Sequence, residues 1–249
     1  MGIWLPAAAY TEELEARMPA VMITGAGRGL GRALLEEYLS RSWTVFPLLR
    51  DVGAAEALSS TATGCHPIVA DVGSMEVEAA IAVTLGDLGI PLDLLINNAG
   101  NIKKLRWLAA TEPQDVEQLF RVHCLGALRC TRAALPWLRQ AECPVVVNIT
   151  SRFGSIGRTA AGEFRGIYSY HIAKAAQNML TVCLDRELRG EGIRVLAVHP
   201  GRLRTAVAAA DADTDPADAA RILADWLEHV DLDTPCALHD LMGGGQIEW

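Results

Sequence analysis

The apolar run Val21-Met22-Ile23 passes directly into Thr24-Gly25-Ala26-Gly27-Arg28-Gly29-Leu30-Gly31, after which apolar residues recur at helical spacing through Leu39. A strand that ends in glycines and reopens as a helix leaves few folds available. Without side chains the backbone turns sharply and exposes its N–H groups, and the positive end of the helix dipole adds to their field. Such a turn suits a pyrophosphate, and its place is the first crossover of a parallel α/β sheet. Further short apolar runs lie at Thr44–Leu49, His66–Ala70, Leu92–Ile96, Val145–Ile149 and Ile193–Val198, separated by helical segments such as Gly31–Leu39 and Asp115–Leu138. The alternation predicts a single-domain Rossmann fold of the α/β class, a doubly wound parallel sheet flanked by helices on both faces.

At 249 residues one such domain accounts for the chain. Residues 1–18 read as an N-terminal extension and 19–249 as the domain that carries cofactor and substrate sites together. Glu12–Arg17 has the character of a helical turn that Pro19 ends. The Ala/Asp-rich stretch Ala206–Asp218 reads as a mobile loop leading into a helix, either a lid or plain solvated surface.

Apolar residues make up 51% of the chain and aromatics only 6%, so the core is expected to be built from Ala, Leu, Val and Ile, as in helix-covered sheets. A net charge of -8 argues against nucleic acid or an anionic membrane surface as the main partner. With no apolar run near the roughly 20 residues that cross a bilayer, and no basic-then-apolar start, the expectation is a soluble, cytoplasmic protein. The six cysteines lack C-x-x-C spacing and the six histidines are dispersed, which fits a reducing compartment and gives a metal site no support.

Four further motifs follow the glycine turn in order. They are Asn97-Asn98-Ala99-Gly100 after the fourth strand, Ser151 closing Asn148-Ile149-Thr150-Ser151, Tyr170-His171-Ile172-Ala173-Lys174, and Pro200-Gly201 with Leu203 and Thr205 after the sixth strand. Together with T-G-x-x-x-G-x-G they resemble the short-chain dehydrogenase/reductase superfamily. The spacing of Ser151 and Tyr170, nineteen positions apart, and the ending Gly243-Gly244-Gly245-Gln246-Ile247-Glu248-Trp249 resemble its C-factor/sniffer-like carbonyl reductase branch.

The resemblance implies an NADP(H)-dependent reduction of a ketone or aldehyde by hydride transfer. Tyr170 and Lys174 share a helix face, and an adjacent ammonium is expected to draw the phenol's pKa down towards the working range. Tyr170 would be the acid in reduction, Ser151 would polarise the carbonyl, and Lys174 would also anchor the nicotinamide ribose. His123 stands where relatives carry an Asn that supports a proton-relay water. Two readings of it are open: a substitute in the relay, or a neutral histidine satisfying a buried carbonyl.

The resemblance assigns cofactor contacts to Gly25, Gly27, Gly29, Leu30, Gly31, Asn98, Ala99, Gly100, Tyr170, Lys174, Pro200, Gly201, Leu203 and Thr205. Leu49 occupies the position where NAD-preferring relatives carry an acid, and Arg50 and Arg28 suit a 2′-phosphate, so NADP(H) is expected over NAD(H). A one-residue shift would present Asp51 instead. Asp71 and Val72 match the family's adenine contact, with a helix N-cap as the alternative role of Asp71.

Arg152, Arg158, Arg165, Arg202 and Arg204 border the expected substrate site, so the small-molecule carbonyl substrate can be anionic. The rival from another class is a weakly catalytic NADP-binding signalling or interaction protein. Hydrolase chemistry lacks a G-x-S-x-G elbow. Family analogy allows a homodimer or homotetramer packed through the helices of His123 and Tyr170.

Overall fold

Strands here are apolar on both faces, because helices cover the sheet from either side. In the computed structural model, which describes residues 17–102, 107–204 and 212–249, the first six are β1 (Ala20–Thr24), β2 (Thr44–Leu49), β3 (Ile68–Val69), β4 (Leu94–Asn97), β5 (Val145–Ile149) and β6 (Arg194–His199). The last two are β7 (Leu238–Asp240) and β8 (Gly245–Ile247). The helices are α1 (Gly29–Ser40), α2 (Val52–Thr61), α3 (Val77–Leu88), α4 (Pro113–Phe120), α5 (Gly126–Leu138), α6 (Ile156–Ala160), α7 (Tyr168–Leu188) and α8 (Pro216–Leu227).

The sheet runs β3-β2-β1-β4-β5-β6-β7-β8, parallel except for the antiparallel pair β7–β8. Alternation along β1 separates two cores. Val21 and Ile23 pack with Leu34 and Leu35 of α1 and Leu223 and Leu227 of α8. Ala20 and Met22 face the other side, towards Val77, Ile81 and Leu85 of α3 and Ala134 and Leu138 of α5. The chain's winding reverses between β1 and β4, and the crevice beyond the C-terminal ends of these strands is where such sheets bind ligands.

The expected α/β architecture is therefore present, with two local differences. The run His66–Ala70 forms only a two-residue strand, because at the sheet edge it has β2 alone to pair with. Asp115–Leu138 is not one continuous α-helix: residues Arg121–Leu125 widen into a π-turn between α4 and α5, and His123 lies in it. Residues 1–16 of the extension, with most of the turn at Glu12–Arg17, lie outside the described residues, as do 205–211 before α8. Among the described residues no helix is long and apolar enough to cross a membrane.

Candidate active site

The β1–α1 turn is held by the residues that follow β4. Thr24 Oγ1 accepts from the backbone N–H groups of Asn98 (3.0 Å) and Ala99 (2.9 Å), while Asn98 Nδ2 donates to the Thr24 carbonyl at 2.9 Å. Asn98 thus braces the glycine turn. The 12-residue helix α1 starts after Arg28, which makes no side-chain cap, and its first turn carries no acidic residue. Its first N–H groups are left for an anion, the arrangement a pyrophosphate requires.

Two cavities meet at Gly100 and Asn101. The first, of about 370 Å³, is bordered by Gly25, Gly27, Arg28, Arg50, Asp71 and Val72. The second, of about 410 Å³, is bordered by Leu30, His123, Ser151, Tyr170, Lys174 and the Pro200–Leu203 segment. The first offers an uncapped helix end and two arginines, the second a proton-bearing side-chain set. A dinucleotide with a redox-active end fits that division.

Leu49 is the last residue of β2 and Arg50 follows it, half-turned to Asp71 at 3.6 Å across an exposed gap. Asp51 Oδ1 accepts from Ala54 N at 2.8 Å and caps α2, so the carboxylate is committed to the helix start. Asp71 is not a helix N-cap. Its Oδ1 accepts from Gly73 N at 2.8 Å, closing a turn, and α3 starts only after Glu76.

In the second cavity, Ser151 ends the segment after β5, and Tyr170 and Lys174 lie on the first turns of α7. Ser151 and Tyr170 line the cavity together, Ser151 draws the phenol's pKa down, and Lys174 Nζ sits 5.7 Å from the Tyr170 ring centroid. Nζ donates to the Ile149 carbonyl (2.7 Å) and to Gln177 Oε1 (2.9 Å). Gln177, one turn along α7, joins a buried chain of polar groups: its carbonyl accepts from Thr181 Oγ1, which accepts from Asn148 Nδ2, whose Oδ1 accepts from Asn97 Nδ2. This network ties Lys174 to the ends of β4 and β5.

The expectation that the ammonium lowers the tyrosine does not hold in this structure. Burial pushes Tyr170 up to about 12, against a smaller downward pull from Ser151, and burial brings Lys174 down to about 7. Removing both groups from water penalises their charged forms more than a cation at this distance helps the phenolate. Tyr170 therefore keeps its proton at neutral pH.

His123 is buried, and its Nε2 donates to the Asn101 carbonyl at 2.7 Å. Burial, with Lys174 adding, holds its pKa well below the usual value, so the ring is neutral. The ring thus satisfies the half-buried Asn101 carbonyl, while its buried Nδ1 has no hydrogen-bond partner among the described residues. The ring also stands edge-on to Tyr170, 5.6 Å between centroids, and a Cβ on Gly100 would lie 2.4 Å from His123 Cε1. Gly100 is thus required by the histidine's bulk.

Pro200, Gly201 and Leu203 border the second cavity, and Leu203 pairs with Thr214 in an isolated bridge. Thr205 lies outside the described residues. Sequence reasoning missed Asn101, Gln177 and His199. Gln177 had a signal, three positions from Lys174 on one helix face. Asn101 directly follows the Asn97–Gly100 motif, and His199 is the last residue of β6, directly before Pro200.

A family model described as short chain dehydrogenase matches residues 19–216. A rhamnolipids biosynthesis 3-oxoacyl-[acyl-carrier-protein] reductase of Pseudomonas aeruginosa is 36% identical over 195 residues, 73% of this chain and 71% of that protein. The C-signal protein of Myxococcus xanthus is 37% identical over 131 residues, 53% of this chain and 77% of that protein. Among solved structures, an NADPH-bound carbonyl reductase from chicken fatty liver superposes with a TM-score of 0.85 at 26% identity, over 94% of this chain and all of that one.

Proposed function

The chain belongs to the short chain dehydrogenase family of oxidoreductases, and we propose that within it this protein is an NADP(H)-dependent carbonyl reductase that turns a ketone or aldehyde into an alcohol. The observation that carries the reading is the meeting of Ser151, Tyr170 and Lys174 in a cavity that adjoins an uncapped helix end. When bound, the reduced nicotinamide supplies a hydride. Ser151 hydrogen-bonds the carbonyl oxygen and polarises it. Tyr170, protonated well above neutrality, gives its phenolic proton to that oxygen as negative charge develops. Lys174, held by Ile149 and Gln177, would meet a ribose hydroxyl of the bound cofactor.

The 2′-phosphate is assigned to Arg28 and Arg50, since both border the first cavity and Asp51 is occupied at the start of α2. Replacing Arg50 by Asp is expected to lower the NADPH:NADH ratio of kcat/KM by roughly 10- to 100-fold. A ratio unchanged by Arg50→Asp would remove Arg50 from the phosphate site.

His123 is assigned a supporting place, its Nε2 proton tied to Asn101. His123→Asn is expected to stay within about tenfold of wild-type kcat/KM, or to exceed it. A hundredfold loss in a folded protein would give the imidazole an essential part.

The function is tested by following NADPH oxidation across small ketones, quinones, aldehydes and acidic carbonyls, with NADPH binding measured in parallel. Turnover on any of these sustains the reading. Tight binding with no turnover would favour a signalling role, the reading to which the likeness to C-signal lends weight.

A further inference from the structure

Four arginines lie on the segments around the second cavity. Arg158 pairs with Glu163 at 2.6 Å, Arg202 with Asp213 at 2.6 Å, and Arg204 with Asp215 at 3.3 Å. Arg152 borders the cavity directly, one residue after Ser151, and among the described residues no carboxylate pairs with it. Its guanidinium carbon lies over two aromatic rings instead, 5.9 Å from the centroid of Phe153 and 5.5 Å from that of Phe164.

Those rings are themselves fixed. Phe153 packs on Phe164 at 4.6 Å, on His171 at 5.1 Å and on Tyr170 at 6.1 Å between centroids, which joins the platform under Arg152 to the proposed proton donor. A guanidinium held by its face keeps its N–H edge for a planar acceptor, and little side-chain entropy remains to be lost when one binds.

Resting on the reductase reading, we propose that Arg152 is the anchor for an anionic group on the substrate, so that the preferred substrates are carbonyl compounds carrying a carboxylate. The guanidinium receives the carboxylate in a bidentate, charge-assisted pair while Ser151 and Tyr170 engage the carbonyl further inside. His199 borders the same cavity and reports the same field. It is buried, its Nδ1 has no hydrogen-bond partner, and its pKa is held down to about 4. Burial is the main cause; Asp240 opposes it, and Arg152, Arg158 and Lys174 add to it. Around this imidazole the basic side chains Arg152, Arg158 and Lys174 outnumber the single carboxylate Asp240, a balance that suits an anionic ligand.

The test uses twins of one shape, 4-carboxybenzaldehyde and 4-carbamoylbenzaldehyde, with NADPH, on wild type and Arg152→Gln. Wild type is expected to favour the carboxylate by roughly tenfold or more in kcat/KM, and Arg152→Gln to erase that preference mainly through KM. Equal specificity constants for the twins in wild type, or a preference that survives in Arg152→Gln, overturns the proposal. If neither aldehyde nor any other carbonyl is reduced, the reductase reading fails and binding decides the anion site by itself. Calorimetry with benzoate and benzamide on the NADP⁺-loaded protein is then the readout. Benzoate bound more tightly than benzamide by wild type alone sustains the site; equal binding of both by wild type refutes it.

Discussion

Tyr170→Phe is expected to reduce carbonyl turnover by roughly a thousandfold while leaving NADPH affinity within a few-fold of wild type. The substitution removes one oxygen and keeps the ring that packs on His123 and Phe153, so the walls of the cavity should persist. The loss should fall on kcat, since the proton is delivered only as charge builds on the carbonyl oxygen. The size of the effect follows from the surroundings. Lys174 cannot take over from where it stands, its Nζ tied to the Ile149 carbonyl and Gln177 Oε1, and Ser151 has a hydroxyl whose own pKa is far too high to deliver a proton outright. NADPH consumption that continues at the wild-type rate in Tyr170→Phe would remove the phenol from the chemistry.

The second large effect is expected at the glycine turn. A Cβ on Gly31 would lie 2.2 Å from the Gly25 carbonyl oxygen and 2.5 Å from Asn98 Nδ2, so Gly31→Ala must push α1 away from the turn. The clash is with backbone and with the amide that braces Thr24, neither of which has room to swing aside. Overpacking of this kind costs about 1–3 kcal/mol, which for a chain of this size lowers the unfolding midpoint by roughly 5 °C. Displacing the helix end should also weaken NADPH binding by roughly a hundredfold, since the N–H groups no longer converge on the pyrophosphate. Gly27→Ala is the companion variant. Its Cβ would have only Leu49 within 4 Å, at 3.9 Å, so the fold should tolerate it while the methyl group intrudes on the first cavity. Thermal unfolding and NADPH titration of both variants check this: Gly31→Ala should lose stability and binding, Gly27→Ala binding alone. Wild-type stability in Gly31→Ala would show that the turn yields more easily than its contacts imply.

Much of this was legible from the sequence because it is local. Strand β2 and strand β5 coincide with the apolar runs Thr44–Leu49 and Val145–Ile149, since a strand buried on both faces needs an uninterrupted apolar stretch. The glycines of the β1–α1 turn and the four-residue spacing of Tyr170 and Lys174 are likewise properties of neighbouring residues. The π-turn at Arg121–Leu125 was not legible, because its residues have ordinary helical character and the widening arises where α4 and α5 meet the rest of the site.

What only the tertiary structure decided concerns charge and partnership. The sequence placed a lysine beside a tyrosine and five arginines near a site. Folding decided that burial outweighs the ammonium at Tyr170, that His123 spends its proton on Asn101, and that Arg158, Arg202 and Arg204 find carboxylates while Arg152 rests on phenyl rings. Backbone shape and apolar periodicity are set within a few residues and can be read along the chain. Protonation and ion pairing depend on water removed, and charges brought near, by segments far apart in sequence, and they exist only once those segments have packed.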